Sequence, residues 1–294
     1  MIQFDPNLIK LEYKIDLIIK KDLFNKKQIK CCPICGSTNY IKYGSYKEIQ
    51  RFKCKSKSCG KTFSLTTNSI WSYSKKSSKK WIEFMELMME KRSLRYCAEK
   101  LKISLGTAFY WRHKILNGFM KEVNPSELCD NVHIGKGAVK ENFKGKRNIT
   151  TSKREDIWII AARGNKDSIL VTPICKKVWN FRSFQEKIYS KIYKNSYITA
   201  YGDRYLQAIA KKHNNGMKKK KGKVDNCIKY FRSNLNIWMS CFHGIGTKYL
   251  KKYLSWFILF YLEKKIDYMD ITYELLKENN FLTTKKIRDI KENM

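Results

Sequence analysis

Four cysteines, Cys32, Cys35, Cys54 and Cys59, constrain this chain more than any other feature. They stand as Cys-x2-Cys, an insert of eighteen residues, and Cys-x4-Cys. Two close pairs separated by a hairpin-length insert suit tetrahedral thiolate coordination, and four soft donors point to structural zinc. Pro33 lies inside the first knuckle and Gly60 follows the second. Polar and β-forming residues (Tyr40, Ile41, Tyr43, Arg51, Phe52) fill the insert, as a zinc ribbon over 31–65 requires. The competing reading is core cysteines or disulfides. Residues 1–30 are charged and hold no apolar signal segment, so a cytoplasmic setting is expected, where paired cysteines serve metals. Cys31 is a spare, and the scattered Cys97, Cys129, Cys175, Cys227 and Cys241 read as packing residues.

Charge comes next. Lysine and arginine total 61 against 26 acidic residues, a net +35 over 294 residues. Such a field attracts polyanions, so nucleic acid is the leading partner and a nucleoid-associated location follows. Lysine far outnumbers arginine, and Asn, Ile and Tyr are common, which looks like AT-rich coding bias and tempers the charge argument. An anionic membrane surface is the rival. The one long apolar stretch, Tyr253 to Leu262, is about half a spanning helix, so no membrane partner is expected.

Along the chain, residues 1–30 read as a helical segment of no assigned role. Trp81, Phe84, Met85 and Met88 recur at helical spacing. Ser93 is a plausible N-cap for a second helix carrying Leu94, Cys97, Ala98 and Leu101. A turn at Lys102–Ile103 leads to Ser104, the N-cap of a third helix that buries Ala108, Trp111 and Ile115. Its outward face is expected to show Thr107, Tyr110, Arg112 and Lys114. Two helices joined by a tight turn, the second basic and aromatic, match a DNA-reading helix-turn-helix over 79–120. A plain three-helix bundle with a solvated face is the alternative. After Pro125 the pattern turns to strands at Val132–Ile134, Ile157–Ala162 and Ile169–Ile174, the last two a hairpin. Helix is expected over Phe181–Tyr193, strand at Tyr197–Tyr201, and helix from Asp203 to Lys212. The lysines Lys218, Lys219, Lys220 and Lys221 form a basic loop for phosphates. Residues 226–262 read as helices whose Trp238, Tyr249, Tyr253 and Trp256 belong to a core. A charged helical tail occupies 263–294.

Three blocks carry a family resemblance: CKSKSCGKTFSLTTNSIW at 54–71, KKWIEFMELMMEKRSLRYCAEKLKISLGTAFYWRHKIL at 79–116, and GIGTKYLKKYLSWF at 244–257. Together they resemble bacterial insertion-sequence transposases with a zinc ribbon, a helix-turn-helix and a ribonuclease-H-like domain, here at 126–262. The resemblance implies binding of element ends. It also implies DNA cutting and joining by two Mg²⁺ or Mn²⁺ ions on an Asp, Asp, Asn/Glu set. Matched from Lys144-Gly145, the first Asp falls on Gly135 and a neighbouring Glu on Lys136; the second Asp falls on Tyr201 and the third ligand on Lys229. None of these positions is acidic. Asp130, Asp203 and Asp225 lie nearby as displaced substitutes, although a helix N-cap or turn role explains them without chemistry. The expected fold is therefore multidomain α+β: zinc ribbon, helical DNA-binding segment, and a mixed α/β ribonuclease-H-like domain with a helical C-terminus. The expected function is DNA binding without strand transfer. An active transposase using displaced carboxylates with Mg²⁺ or Mn²⁺, and a non-enzymatic scaffold, are the alternatives, and a homo-oligomer is left open.

Overall fold

The computed structural model describes residues 29–46, 49–64, 66–76, 78–122, 125–144, 153–164, 168–218, 224–261 and 281–290. The helical segment expected over 1–30, the lysines Lys219 to Lys221 and most of the 263–294 tail lie outside them.

A small sheet comes first. Strands β1 (Tyr40–Tyr46), β2 (Ile49–Cys54) and β3 (Thr62–Ser64) pair antiparallel in the order β1-β2-β3. Its own core is minimal: Cys32, Cys54 and Phe63 are buried, with Tyr40 and Phe52 packed on Phe63 at ring separations of 5.6 and 5.7 Å. So small a core cannot hold a fold by apolar burial alone and needs a further tie.

Three helices come after it, α1 (Ser78–Met89), α2 (Leu94–Lys100) and α3 (Leu105–Glu122). The periodic apolar residues of α1 are all buried, and Trp81 stacks on Trp111 of α3 at 4.0 Å. Ser93 caps α2 by accepting from the Tyr96 N–H, and Ser104 Oγ accepts from the Thr107 N–H at the start of α3. Between them Lys102 takes φ +50°, which closes the turn.

The second sheet has four strands in the order β6-β5-β4-β7. They are β4 (Asn131–Lys140), β5 (Asp156–Arg163), β6 (Ile169–Lys176) and β7 (Tyr197–Tyr201). β4, β5 and β6 are antiparallel neighbours, while β7 joins β4 in parallel. That parallel return needs a crossover, supplied by α4 (Phe181–Lys187) and a 3₁₀ turn at Tyr189–Lys191. β4 is far longer than the three residues expected. Helices α5 (Arg204–His213), α6 (Asn226–Lys229), α7 (Phe231–Ser240) and α8 (Leu250–Tyr261) complete the body, with α9 (Thr284–Arg288) near the C-terminus.

The sheet is covered on both faces. Val132, Ile134, Ile160, Leu170, Leu206 and Ala210 form a core beneath α4 and α5. On the other face Ile157, Ile159, Phe231, Leu235, Trp238 and Trp256 join the buried residues of α1, α2 and α3 in one continuous core. Helix α3 thus packs along α8 and the 3₁₀ turn Thr247–Tyr249 before it: His113 meets Tyr249 at 4.2 Å, and Lys252 of α8 reaches Asn117. The aromatic stripe of 238–256 is core, as its sequence suggests. The chain is a mixed α/β protein with a four-cysteine cluster at one end.

Candidate metal centre and nucleic-acid surface

The two knuckles bring Cys32, Cys35, Cys54 and Cys59 together with all four sulfurs within 4.8 Å of one another. Cys32 and Cys59 are 4.0 Å apart, Cys35 and Cys54 3.6 Å. A tetrahedral zinc with Zn–S bonds of ~2.3 Å sets sulfurs about 3.8 Å apart, so the donor set fits that ion. Local sequence explains the geometry. Gly36 and Gly60 follow the last cysteine of each knuckle with φ +78° and +56°, and their N–H groups donate back to Cys32 and Ser56 carbonyls. A β-carbon is strained in that region, which is why each knuckle ends in Cys-Gly. Burial raises the Cys32 thiol, but the N–H groups of Ile34 and Cys35 together with the Cys35 and Cys59 thiols outweigh it and hold it below the ordinary range. Cys35 is pushed up to about 12. The Ser37 N–H, its largest influence, acts the other way and is overcome by partial desolvation and the crowd of Cys54, Cys59 and Cys32. Four thiols this close cannot all ionise without a cation between them. Among the described residues this is the one group of three or more Cys, His, Asp or Glu arranged to share an ion.

The positions matched to the acidic set also meet. Gly135 and Tyr201 are direct partners across the parallel β4–β7 ladder. Helix α6, which ends at Lys229, lies against them. A β-carbon at Gly135 would sit 2.5 Å from the Ile228 carbonyl oxygen and 3.3 Å from Phe231. Tyr201 fills the rest, its hydroxyl 2.9 Å from His133 Nδ1 and the two rings stacked. Where a cation pair would need carboxylates and room, glycine, tyrosine and a helix backbone are packed together.

The three substitute aspartates do not converge. Asp203 caps α5, accepting from the Tyr205 and Leu206 N–H groups, and pairs with Lys136 at 2.8 Å. Asp225 caps α6 through the Ile228 N–H and pairs with Arg163 at 3.2 Å. Helix α5 contributes to the core on one face of the sheet, and α6 to the core on the other. Asp130 precedes β4 and Asp203 follows β7, with the paired residues 131–135 between them. Five strand residues span roughly 16 Å, against about 4 Å for a metal pair. The Lys136 ammonium is also enclosed by the Trp158 and Trp179 rings at 4.3 and 4.5 Å.

The expected DNA-contacting residues fare unevenly. Ser104 and Thr107 lie in the first turn of α3, where Ser104 is exposed and Thr107 partly so. Tyr110 and Lys114 are half-buried beneath the C-terminal segment: Arg288 donates to the Tyr110 hydroxyl, and Phe281 lies under the Lys114 ammonium. Arg112 requires correction. It is only 2 % exposed, donates to the Arg92 carbonyl at 2.6 Å, and lies over the Trp256 ring. It faces inward because α8, far later in the sequence, covers that side of α3. Lys218 is exposed. The sequence reading does not single out Arg95, Lys100 and Lys102, exposed cations of α2 and of the turn that leads to Ser104. The signal was present: once Cys97, Ala98 and Leu101 define the inner face, these three are left on the outside.

In comparisons with known proteins, a 116-residue stretch is 27 % identical to an uncharacterised protein in the transposable element ISH50 of Halobacterium salinarum. The match covers 39 % of this chain and 38 % of that protein, so the chain spans about two fifths of its relative's length. No family model matches, and no solved structure does. Among the described residues no helix is long and apolar enough to cross a membrane.

Proposed function

We propose that this chain is a DNA-binding protein of insertion-sequence origin that has lost strand cutting. In this reading residues 31–65 form a zinc ribbon, with Cys32, Cys35, Cys54 and Cys59 holding a structural zinc. Residues 79–120 supply a helix-turn-helix, and 126–262 a ribonuclease-H-like domain. The strand order β6-β5-β4-β7, with three antiparallel strands and a fourth parallel to the first, supports that last assignment. Similarity to a protein of a transposable element supports the origin.

The observation that carries the loss of cutting is the meeting of Gly135 and Tyr201 under the α6 backbone. The resemblance places metal ligands there; no carboxylate occupies either position, and Gly135 has no room for one. The acids nearest in sequence are neutralised by Lys136 and Arg163, which take the place a divalent cation would otherwise fill. DNA is read from the first turn of α3, by Ser104 and Thr107, with Arg95, Lys100 and Lys102 on phosphates. The net charge of +35 draws the protein to nucleic acid and favours a nucleoid location.

The test is a gel assay on end-labelled duplex flanking the gene, with zinc-loaded protein and Mg²⁺ or Mn²⁺. A sequence-dependent shift without nicking is expected. A metal-dependent nick that disappears in the Asp203→Ala or Asp225→Ala variant would overturn the reading in favour of an active transposase. Equal, salt-sensitive shifts on every duplex would overturn it in favour of a general polyanion-binding scaffold.

A further inference from the structure

The outer face of the small sheet is built unlike a mere support for a metal. Its inner side packs Tyr40, Phe52 and Phe63 together. On the opposite side Ile41 is 42 % exposed and Tyr43 47 % exposed, while Arg51 and Lys53 flank the Tyr43 ring at 5.9 and 5.2 Å from its centroid. Each cation lies over the Tyr43 ring in cation–π contact and holds it in place, while nearly half of the residue's surface stays open to solvent. The placement of Tyr43 is not incidental. The β1–β2 register slips between Lys42 and Ser45, and a bulge of this kind re-aims the side chain it carries. Gly44 takes φ +66° within the slip, and Gln50 Nε2 braces it by donating to the Gly44 carbonyl at 2.7 Å. Arg51 is steadied across the next strand pair by donating to Thr62 Oγ1 at 3.2 Å. The ring is thus held by two cations on a braced bulge and still stays nearly half exposed.

Charge narrows the partner. Residues 29–64 contain eight lysines and arginines and a single acid, Glu48. A zinc held by four thiolates would subtract two charges and leave the unit strongly positive. A cationic surface with an outstanding aromatic fits a polyanion that also offers free π-faces, and that is unpaired nucleic acid rather than intact duplex.

We infer that the outer face of the β1-β2-β3 sheet is a single-strand binding platform on which one unpaired base stacks against Tyr43 while Arg51 and Lys53 hold the flanking phosphates. This role is separate from duplex reading by α3, and it needs no catalysis.

The experiment uses the full chain loaded with zinc and a fluorescent thymidine strand of about twenty nucleotides, with a duplex of equal length as comparison. Anisotropy is followed over a salt series. Tyr43→Ala should weaken single-strand binding roughly tenfold while leaving duplex binding nearly unchanged, and Tyr43→Phe should restore it. Lys53→Ala should reduce the slope of log affinity against log salt by about 0.7 for the single strand. Zinc content and circular dichroism equal to the parent chain establish that each variant is folded. Unchanged single-strand affinity in Tyr43→Ala would overturn the proposal, and so would an equal loss on single strand and duplex. A Ser104→Ala, Thr107→Ala variant separates the two readings: it should lose duplex selectivity and keep single-strand binding, so failure of one leaves the other independently tested.

Discussion

His113 and Arg112, adjacent on α3, are polar residues spent on packing. His113 is 1 % exposed, enclosed by Phe109 and Tyr249, and burial followed by the Lys252, Arg112 and Lys248 charges lowers its pKa to about 3. The unfolded chain would take up that proton near pH 6.5. Between these values the unfolded state binds more protons, so folding stability falls as pH drops from about 6.5 to about 3, by at most ~1.4 kcal/mol per pH unit from this residue. A His113→Phe variant should show a flatter acid limb in urea melts at pH 4 and pH 7; an unaltered limb would assign the dependence elsewhere. Lys252 behaves likewise at the other extreme. Burial lowers it to about 8, so its contribution grows as pH rises from about 8 towards 10.5. Arg112 gives a different prediction. Arg112→Ala leaves the Arg92 carbonyl with only the Cys97 thiol at 4.0 Å as donor and opens space under Trp256, and it should cost about 2–4 kcal/mol of stability. Duplex affinity per folded molecule should stay level in a titration whose folded fraction is fixed by circular dichroism; a selective loss of affinity would return Arg112 to the DNA surface.

At the scale of elements, the contact between β4 and α6 is the most restrictive. Gly135 and Gly137 remove side chains from one face of β4, and Ile228, Phe231 and Leu235 occupy the space. Gly135→Asp would press a carboxylate against the Ile228 carbonyl, acceptor against acceptor. It should destabilise by more than about 3 kcal/mol, with no recovery on adding Mg²⁺; a Mg²⁺-dependent rise in melting temperature would contradict the packing argument. The small sheet has a core of its own, separate from the two that cover β4 to β7. Cys54→Ser should therefore release zinc and melt β1 to β3 while hydrogen exchange in β4 and β5 remains slow. Loss of protection in both sheets together would show them to be one cooperative unit. Helix α9 is fastened by Ile287, fully buried, and by the Tyr249 hydroxyl donating to the Ile287 carbonyl. Ile287→Ala should cost about 2–4 kcal/mol locally and raise proteolysis of the segment that lies on Tyr110.

In the whole molecule a four-stranded sheet carries helices on both faces. Features set by residue spacing were mostly legible. The knuckles, the inner faces of α1 and α2, the β5–β6 hairpin and the capping aspartates are each written in residue type and short spacing, even where the contact made, as by Trp81 on Trp111, is distant. Only Val132–Ile134 of β4 is legible as strand, because Gly135, Lys136 and Gly137 interrupt its apolar alternation. Those residues are admissible there only because α6 and α7 press on one face and Asp203 neutralises Lys136 on the other. The inward turn of Arg112 has the same cause: which side of α3 faces water depends on α8, and no periodicity within α3 records a helix so distant in the chain. The exposed ring of Tyr43 is a smaller case, since the bulge that aims it is a property of strand pairing. The cysteine knuckles, the helix caps, the charge and the absence of acids at the matched positions could be read from the chain directly, because these are properties of residue type and short spacing. Tertiary structure alone decided that Gly135 has no room for a carboxylate, that Asp203 and Asp225 lie on opposite faces, and that α3 opens to solvent at its first turn, because these depend on which distant segments pack together.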